Sequence, residues 1–133
     1  MDEAFYKTLS EKIDYARTKL GKPLTYTEKI LYSHLSSPLN KEISRRKEYA
    51  ELNPDRVAMQ DATAQMAILQ FMLSNKKTTA IPTSVHCDHL IQARVGAKED
   101  LLAAKDENKE VYDFLESVSK RYGMDFWKPG AGI

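Results

Sequence analysis

With 133 residues, 42% of them hydrophobic and 29% charged, the chain has room for one domain with a sizeable core, and its composition is that of a folded globular protein rather than a disordered one. A net charge of +1 gives no general electrostatic case for nucleic acid or an anionic membrane, and the longest apolar run, Met66 to Leu73, is interrupted by Gln70 and far too short to cross a bilayer. The single cysteine, Cys87, excludes an internal disulfide and any cluster held by several thiolates of this chain.

Taken in order, Phe5, Leu9, Ile13, Ala16 and Leu20 fall on one stripe at helical spacing that ends at Gly21, a natural C-cap. Thr25 and Glu28 then read as a capping box for a second helix with Ile30, Leu31, His34 and Leu35 on its inner face, stopped by Ser36-Ser37-Pro38. His34, at the edge of that stripe, reads as a packed or capping histidine rather than a catalytic one. The Arg45-Arg46-Lys47 cluster reads as a solvated face. Asn53-Pro54-Asp55 is a turn between the runs Glu48–Leu52 and Arg56–Met59, which predicts a hairpin or paired short strands.

From Ala62 to about Ser74 the residues are apolar nearly all round, so a central, buried helix is expected with Asp61 as its N-cap. Its mouth offers free backbone N–H groups and the positive end of the helix dipole, which favour an anion such as a carboxylate. Gln60 stands beside that mouth with an amide that can both donate and accept. Thr78 to Val85 reads as a strand, with Pro82 weakening any claim that it is central. A strand directly after a buried helix predicts an α/β layering. Beyond it, Leu101, Ala104, Asn108, Val111, Leu115, Val118 and Tyr122 recur at spacings of three and four, which predicts one long helix capped by Gly123.

His86-Cys87-Asp88-His89 carries the densest chemistry. As a zinc site it fails, because four consecutive residues cannot converge on a tetrahedral ion and no second ligand cluster exists, so no metal ligand is assigned. As a nucleophile Cys87 would need a base that a sequence neighbour is badly placed to be, and it reads better as a small buried hydrophobe. The third reading is acid–base work by Asp88 and His89, in which a carboxylate orients the imidazole and favours its protonated form, so that it can carry a proton to a leaving hydroxyl. Sequence alone leaves a structural histidine open beside it.

The runs Arg56 to Gln65 and Ile81 to Leu90 resemble the opening of the aconitase family, the iron-sulfur hydro-lyases that interconvert citrate and isocitrate through cis-aconitate in the citric acid cycle. The stretch Leu24 to Tyr32 with His34-Leu35, the stretch Asn108 to Leu115 and the ending Phe126-Trp127-Lys128-Pro129-Gly130 are similar to the first domain of the mitochondrial type. The resemblance implies that Gln60 binds substrate and that Asp88 and His89 are the catalytic pair. It further implies a partial three-layer α/β/α domain, with residues 1–47 an N-terminal helical segment and 48–133 the start of the α/β domain, incomplete at its C-terminus. The three cysteines that hold the family's 4Fe-4S cluster lie beyond Ile133 in relatives, so the isolated chain is expected to bind no cluster and to be inactive. Citrate, isocitrate, cis-aconitate and the remainder of an aconitase chain are the partners the resemblance implies, and the mitochondrial matrix is the compartment. Met1 to Phe5 is acidic and shows no transit-peptide character, so such an address would have been removed or omitted. The alternative is a non-catalytic interaction module, a truncated paralogue whose Leu101–Tyr122 helix pairs with a partner.

Overall fold

The computed structural model describes residues 3–132, and the chain divides into two compact units, residues 1–55 and 56–133. The first unit is helical. Helix α1 spans Glu3–Leu20 and stops at Gly21, which takes the left-handed conformation (φ 62°) and donates its N–H to the Arg17 carbonyl at 2.9 Å. Helix α2 spans Tyr26–Ser33 behind the expected capping box: the Thr25 hydroxyl accepts from Glu28 N, and the Glu28 carboxylate accepts from Thr25 N at 2.8 Å. These bonds, with Lys22 close by, hold the Glu28 carboxyl below its ordinary range. Ala16, Leu24, Tyr32 and Leu39 form the small core of this unit.

α2 ends earlier than Ser36-Ser37-Pro38, at the cap residue His34, whose ring Nδ1 lies 2.8 Å from the Ile30 carbonyl and whose Nε2 lies 3.2 Å from Asp55. His34 is therefore a capping residue. The predicted hairpin does not form. Residues 34–36 and 51–53 pair antiparallel through a Leu35–Leu52 bridge, with Ser36 N donating to Glu51 O and Asn53 N to His34 O, so the backbone groups around Leu52 are already used.

The second unit opens with β1 (Val57–Gln60), followed by α3 (Asp61–Leu73), β2 (Thr83–His86), α4 (Ala97–Glu107), α5 (Lys109–Tyr122) and β3 (Asp125–Trp127). The three strands are parallel in the order β1-β2-β3, which agrees with α/β layering. β2 is central despite Pro82, because the strand begins only after the proline, whose missing N–H is no loss there while its carbonyl accepts from Val57 N at 3.0 Å. Side chains alternate along β2. Val85 and Cys87 join Ala64, Ile68, Tyr112, Leu115, Val118 and Met124 in the core between the sheet and helices α3 and α5. Ser84 and His86 point to the other face, where the Ser84 hydroxyl and His86 Nε2 are 2.9 Å apart and the His86 ring leans on Trp127.

Two expectations need correction. The long C-terminal helix is two helices, because the backbone leaves helical geometry at Asn108 (φ −112°, ψ 21°) and the Asn108 side-chain amide caps the Ala104 carbonyl at 3.1 Å. Tyr112, Leu115 and Val118 of α5 are consumed by the core, which leaves no continuous seam for a pairing partner. α3 is also not buried all round: Asp61, Ala64 and Ile68 are buried, while Met66, Leu69 and Leu73 are exposed.

Candidate active site

Strand register brings the candidate residues to one edge. Gln60, His86 and Trp127 are aligned across β1, β2 and β3, so each strand ends in the same row. The segments that follow, α3 from β1, Cys87 to Leu90 from β2 and Lys128 to Gly132 from β3, all emerge at the carboxyl edge of the sheet. Open parallel sheets bind ligands there.

At the end of β1, Gln60 is extended (φ −87°, ψ 151°) and is itself the N-cap of α3. Its side chain makes no bond to the helix, and the residue is exposed, so the amide is left for another partner. Asp61, expected as the cap, is instead the first helical residue and is fully buried. Its Oδ1 accepts from Ala62 N at 2.8 Å and its Oδ2 accepts from Leu90 N at 3.3 Å, which ties the β2 exit to the mouth of α3.

Past β2, Asp88 and His89 diverge. The Asp88 carboxylate accepts from Gly130 N at 2.6 Å and from Gly132 N at 2.8 Å, clamping the turn after β3. Both glycines have positive φ (88° and 93°), a conformation that lets their N–H groups converge on one carboxylate and that other residues enter only with strain. His89, its side chain 28% exposed, places Nδ1 3.9 Å from Oδ1 of Asp61. The acid nearest the imidazole is thus the one that opens α3, 28 positions upstream.

Beneath the edge lie Cys87 and the phenol of Tyr112, both buried, the latter with no hydrogen-bond partner for its hydroxyl. Burial first, and then the Asp61 and Asp88 carboxylates, push the Cys87 thiol up to about 12. Burial, then the same two carboxylates and Cys87, push Tyr112 up to about 12 as well. Both stay protonated at neutral pH, which removes Cys87 as a nucleophile or thiolate ligand. Among the described residues no group of three or more His, Cys, Asp or Glu side chains is set to hold a metal ion. The donors of this chain therefore do not fit an iron-sulfur cluster, which is built on thiolates.

No motif in the sequence shows that Asp61 lies beside His89, or that glycine N–H groups bond to Asp88. One local signal was present: Asp61 is the single charged residue in a helix that is otherwise uncharged.

The exposed Gln60 amide and the His89 imidazole thus stand near the mouth of a helix on the carboxyl edge of a parallel sheet, the edge at which open α/β sheets bind ligands. Comparison with known proteins places the chain in a family. The model of the aconitase family (aconitate hydratase) matches residues 28–133. Over 128 residues the chain is 59% identical to the mitochondrial aconitate hydratase of Emericella nidulans and 58% identical to that of Saccharomyces cerevisiae. It is 53% identical to the probable mitochondrial aconitate hydratase of Caenorhabditis elegans over the same length. Each match covers 96% of this chain and 16% of the relative, so the chain spans about one sixth of the length of these curated relatives. The chain belongs to the aconitase family.

Proposed function

We propose that this chain forms the first part of a mitochondrial-type aconitate hydratase and one wall of its active site, at which citrate and isocitrate interconvert through cis-aconitate. The observation that carries this reading is that Gln60 caps α3 with its side chain unengaged while the His89 ring lies 3.9 Å from Asp61, the first residue of that helix. A substrate carboxylate fits the positive end of that helix, where the Ala62 N–H is already taken by Asp61, and the unengaged Gln60 amide can donate to it. His89 supplies the proton to the departing hydroxyl: the C–O bond breaks and water leaves. The proton lost from the neighbouring carbon goes to a base supplied from outside this chain. Asp88, the other member of the catalytic pair, holds the 130–132 turn through Gly130 N and Gly132 N beside the backbone that carries His89.

The rest of such an enzyme would cover the exposed Met66, Leu69 and Leu73 surface of α3 and complete a three-layer α/β/α domain on the other face of the sheet. Its compartment would be the mitochondrion, the word the names of the relatives carry. In the intact gene product, His89→Gln should lower kcat for cis-aconitate hydration by about 10²-fold or more, whereas Gln60→Ala should act mainly on KM. Wild-type kinetics in both variants would overturn the proposal.

A further inference from the structure

We infer that His86 is a positioning residue for Gln60: its Nδ1–H holds the Gln60 side-chain oxygen and so turns the amide N–H groups towards the bound carboxylate. The role rests on the substrate-binding reading of Gln60. Three observations carry it. Strand register places Gln60 and Trp127 on either side of His86, and side-chain alternation puts all three on the sheet face away from the core, into which Met59, Val85 and Phe126 pack. His86 is only 8% exposed, yet its Nδ1 is buried without a hydrogen-bond partner. Beside it, the Gln60 side chain makes no bond to the helix it caps.

The polar groups behind His86 decide which ring nitrogen carries the proton. The Arg56 guanidinium, which can only donate, reaches the Ser84 hydroxyl at 3.4 Å, and that hydroxyl lies 2.9 Å from His86 Nε2. Ser84 is fully buried, so its own proton needs an acceptor, and Nε2 lies in reach. With Nε2 accepting, the ring proton sits on Nδ1 as a buried donor. Nε2, the far atom of the ring, reaches back to the Ser84 row, which leaves Nδ1, beside Cγ, level with Gln60 and Trp127. Trp127 offers only a donor there, and the Asp125 carboxylate is level with Ser84, one row back. The Gln60 oxygen is the side-chain acceptor in the row, across a strand spacing of about 4.8 Å that a glutamine spans. A carboxylate only accepts, so an amide anchored by its oxygen presents to it the N–H groups it needs.

Nitrogen NMR of the 133-residue chain reads the bond itself. The expected result is a protonated Nδ1 and an unprotonated Nε2 on His86, with Nδ1 shifted by Gln60→Ala and not by Asp125→Asn. An unprotonated Nδ1, or one that Gln60→Ala leaves in place, would overturn the inference. Kinetics of cis-aconitate hydration by the intact gene product read the consequence. His86→Leu should raise KM about fivefold to tenfold with kcat changed less than about threefold, while His86→Asn, which keeps an N–H near the place of Nδ1, should stay within about threefold of wild-type KM. Once Gln60 is Ala, His86→Leu should add less than about twofold. An equal rise in KM in both backgrounds, a His86→Asn variant no better than His86→Leu, or an unchanged KM would overturn the inference. Ser84→Ala, which frees the ring to change tautomer, takes the place of His86→Leu if that variant does not fold, and its effect on KM must likewise vanish once Gln60 is Ala. If Gln60→Ala alone leaves KM unchanged, the substrate reading of Gln60 fails, and the NMR result decides the hydrogen bond by itself.

Discussion

Alanine substitution at Gly130 and at Gly132 separates two physical costs within one turn. Both glycines have left-handed backbone, at φ 88° and 93°, and an L residue there costs about 1–2 kcal/mol. A Cβ added at Gly132 meets nothing within 4 Å, so Gly132→Ala should carry that strain alone. A Cβ added at Gly130 would lie 2.9 Å from Cδ2 and 3.4 Å from Cδ1 of Leu101 on α4. Leu101 is half-buried and flexible at its tip, so the overpacking should add about 1 kcal/mol, at the low end of such costs. Gly130→Ala is therefore expected at about 2–3 kcal/mol and Gly132→Ala at about 1–2 kcal/mol. Urea unfolding followed by the fluorescence of Trp127, the single tryptophan, reads this directly, because β3 leads into the turn. The two midpoints should differ by about 0.5 M urea. Coincident midpoints, or a Gly130→Ala midpoint equal to wild type, would refute the contact between the turn and α4.

Further outcomes follow from packing and titration. Leu115→Ala removes a fully buried core side chain and should cost about 2–5 kcal/mol in the same urea assay, whereas Leu102→Ala, at an exposed position, should cost under about 0.5 kcal/mol. Thr25→Ala breaks the capping box and should lose about 1 kcal/mol from the first unit, seen as lost helical circular dichroism at lower urea. Cys87 should resist thiol reagents at neutral pH in the native chain and react at once in urea. Its thiol is raised from an ordinary 9.0 to about 12, and Tyr112 from 10.0 to about 12. Between pH 9 and 12 the unfolded chain therefore binds fewer of these protons than the native one, and stability should be intact below pH 9 and fall as pH rises through that window. Cys87→Ala should flatten the fall, and a slope unchanged by it would refute the assignment.

What was legible in the sequence was mostly local. The capping box at Thr25 and Glu28 and the stops at Gly21 and Gly123 depend on residues a few positions apart, and each formed as read. The break at Asn108 was hidden because the apolar spacing of three and four runs straight through it, while Asn108 caps the first helix with both its backbone N–H and its side-chain amide. The strand pairing was hidden for a different reason. Glu48 to Leu52 and Arg56 to Met59 look like two arms of a hairpin, yet residues 51–53 pair with residues 34–36 and β1 with β2, choices made by long-range packing that no turn signal encodes. The same holds at the candidate site. Asp88 and His89 lie past the end of β2, where the chain turns, so the strand's alternation does not say which partners their side chains find. The His89 ring lies 3.9 Å from Asp61, 28 positions upstream, a separation set by the β1–α3–β2 arrangement.

The most direct test of the account is to isolate from its source the native species that carries peptides of this stretch and to assay it for cis-aconitate hydration. A species that contains Gln60, Asp61, Asp88 and His89 together with peptides from beyond Ile133, and that hydrates cis-aconitate, is the predicted result. A stable product of this mass alone with no such activity would contradict it.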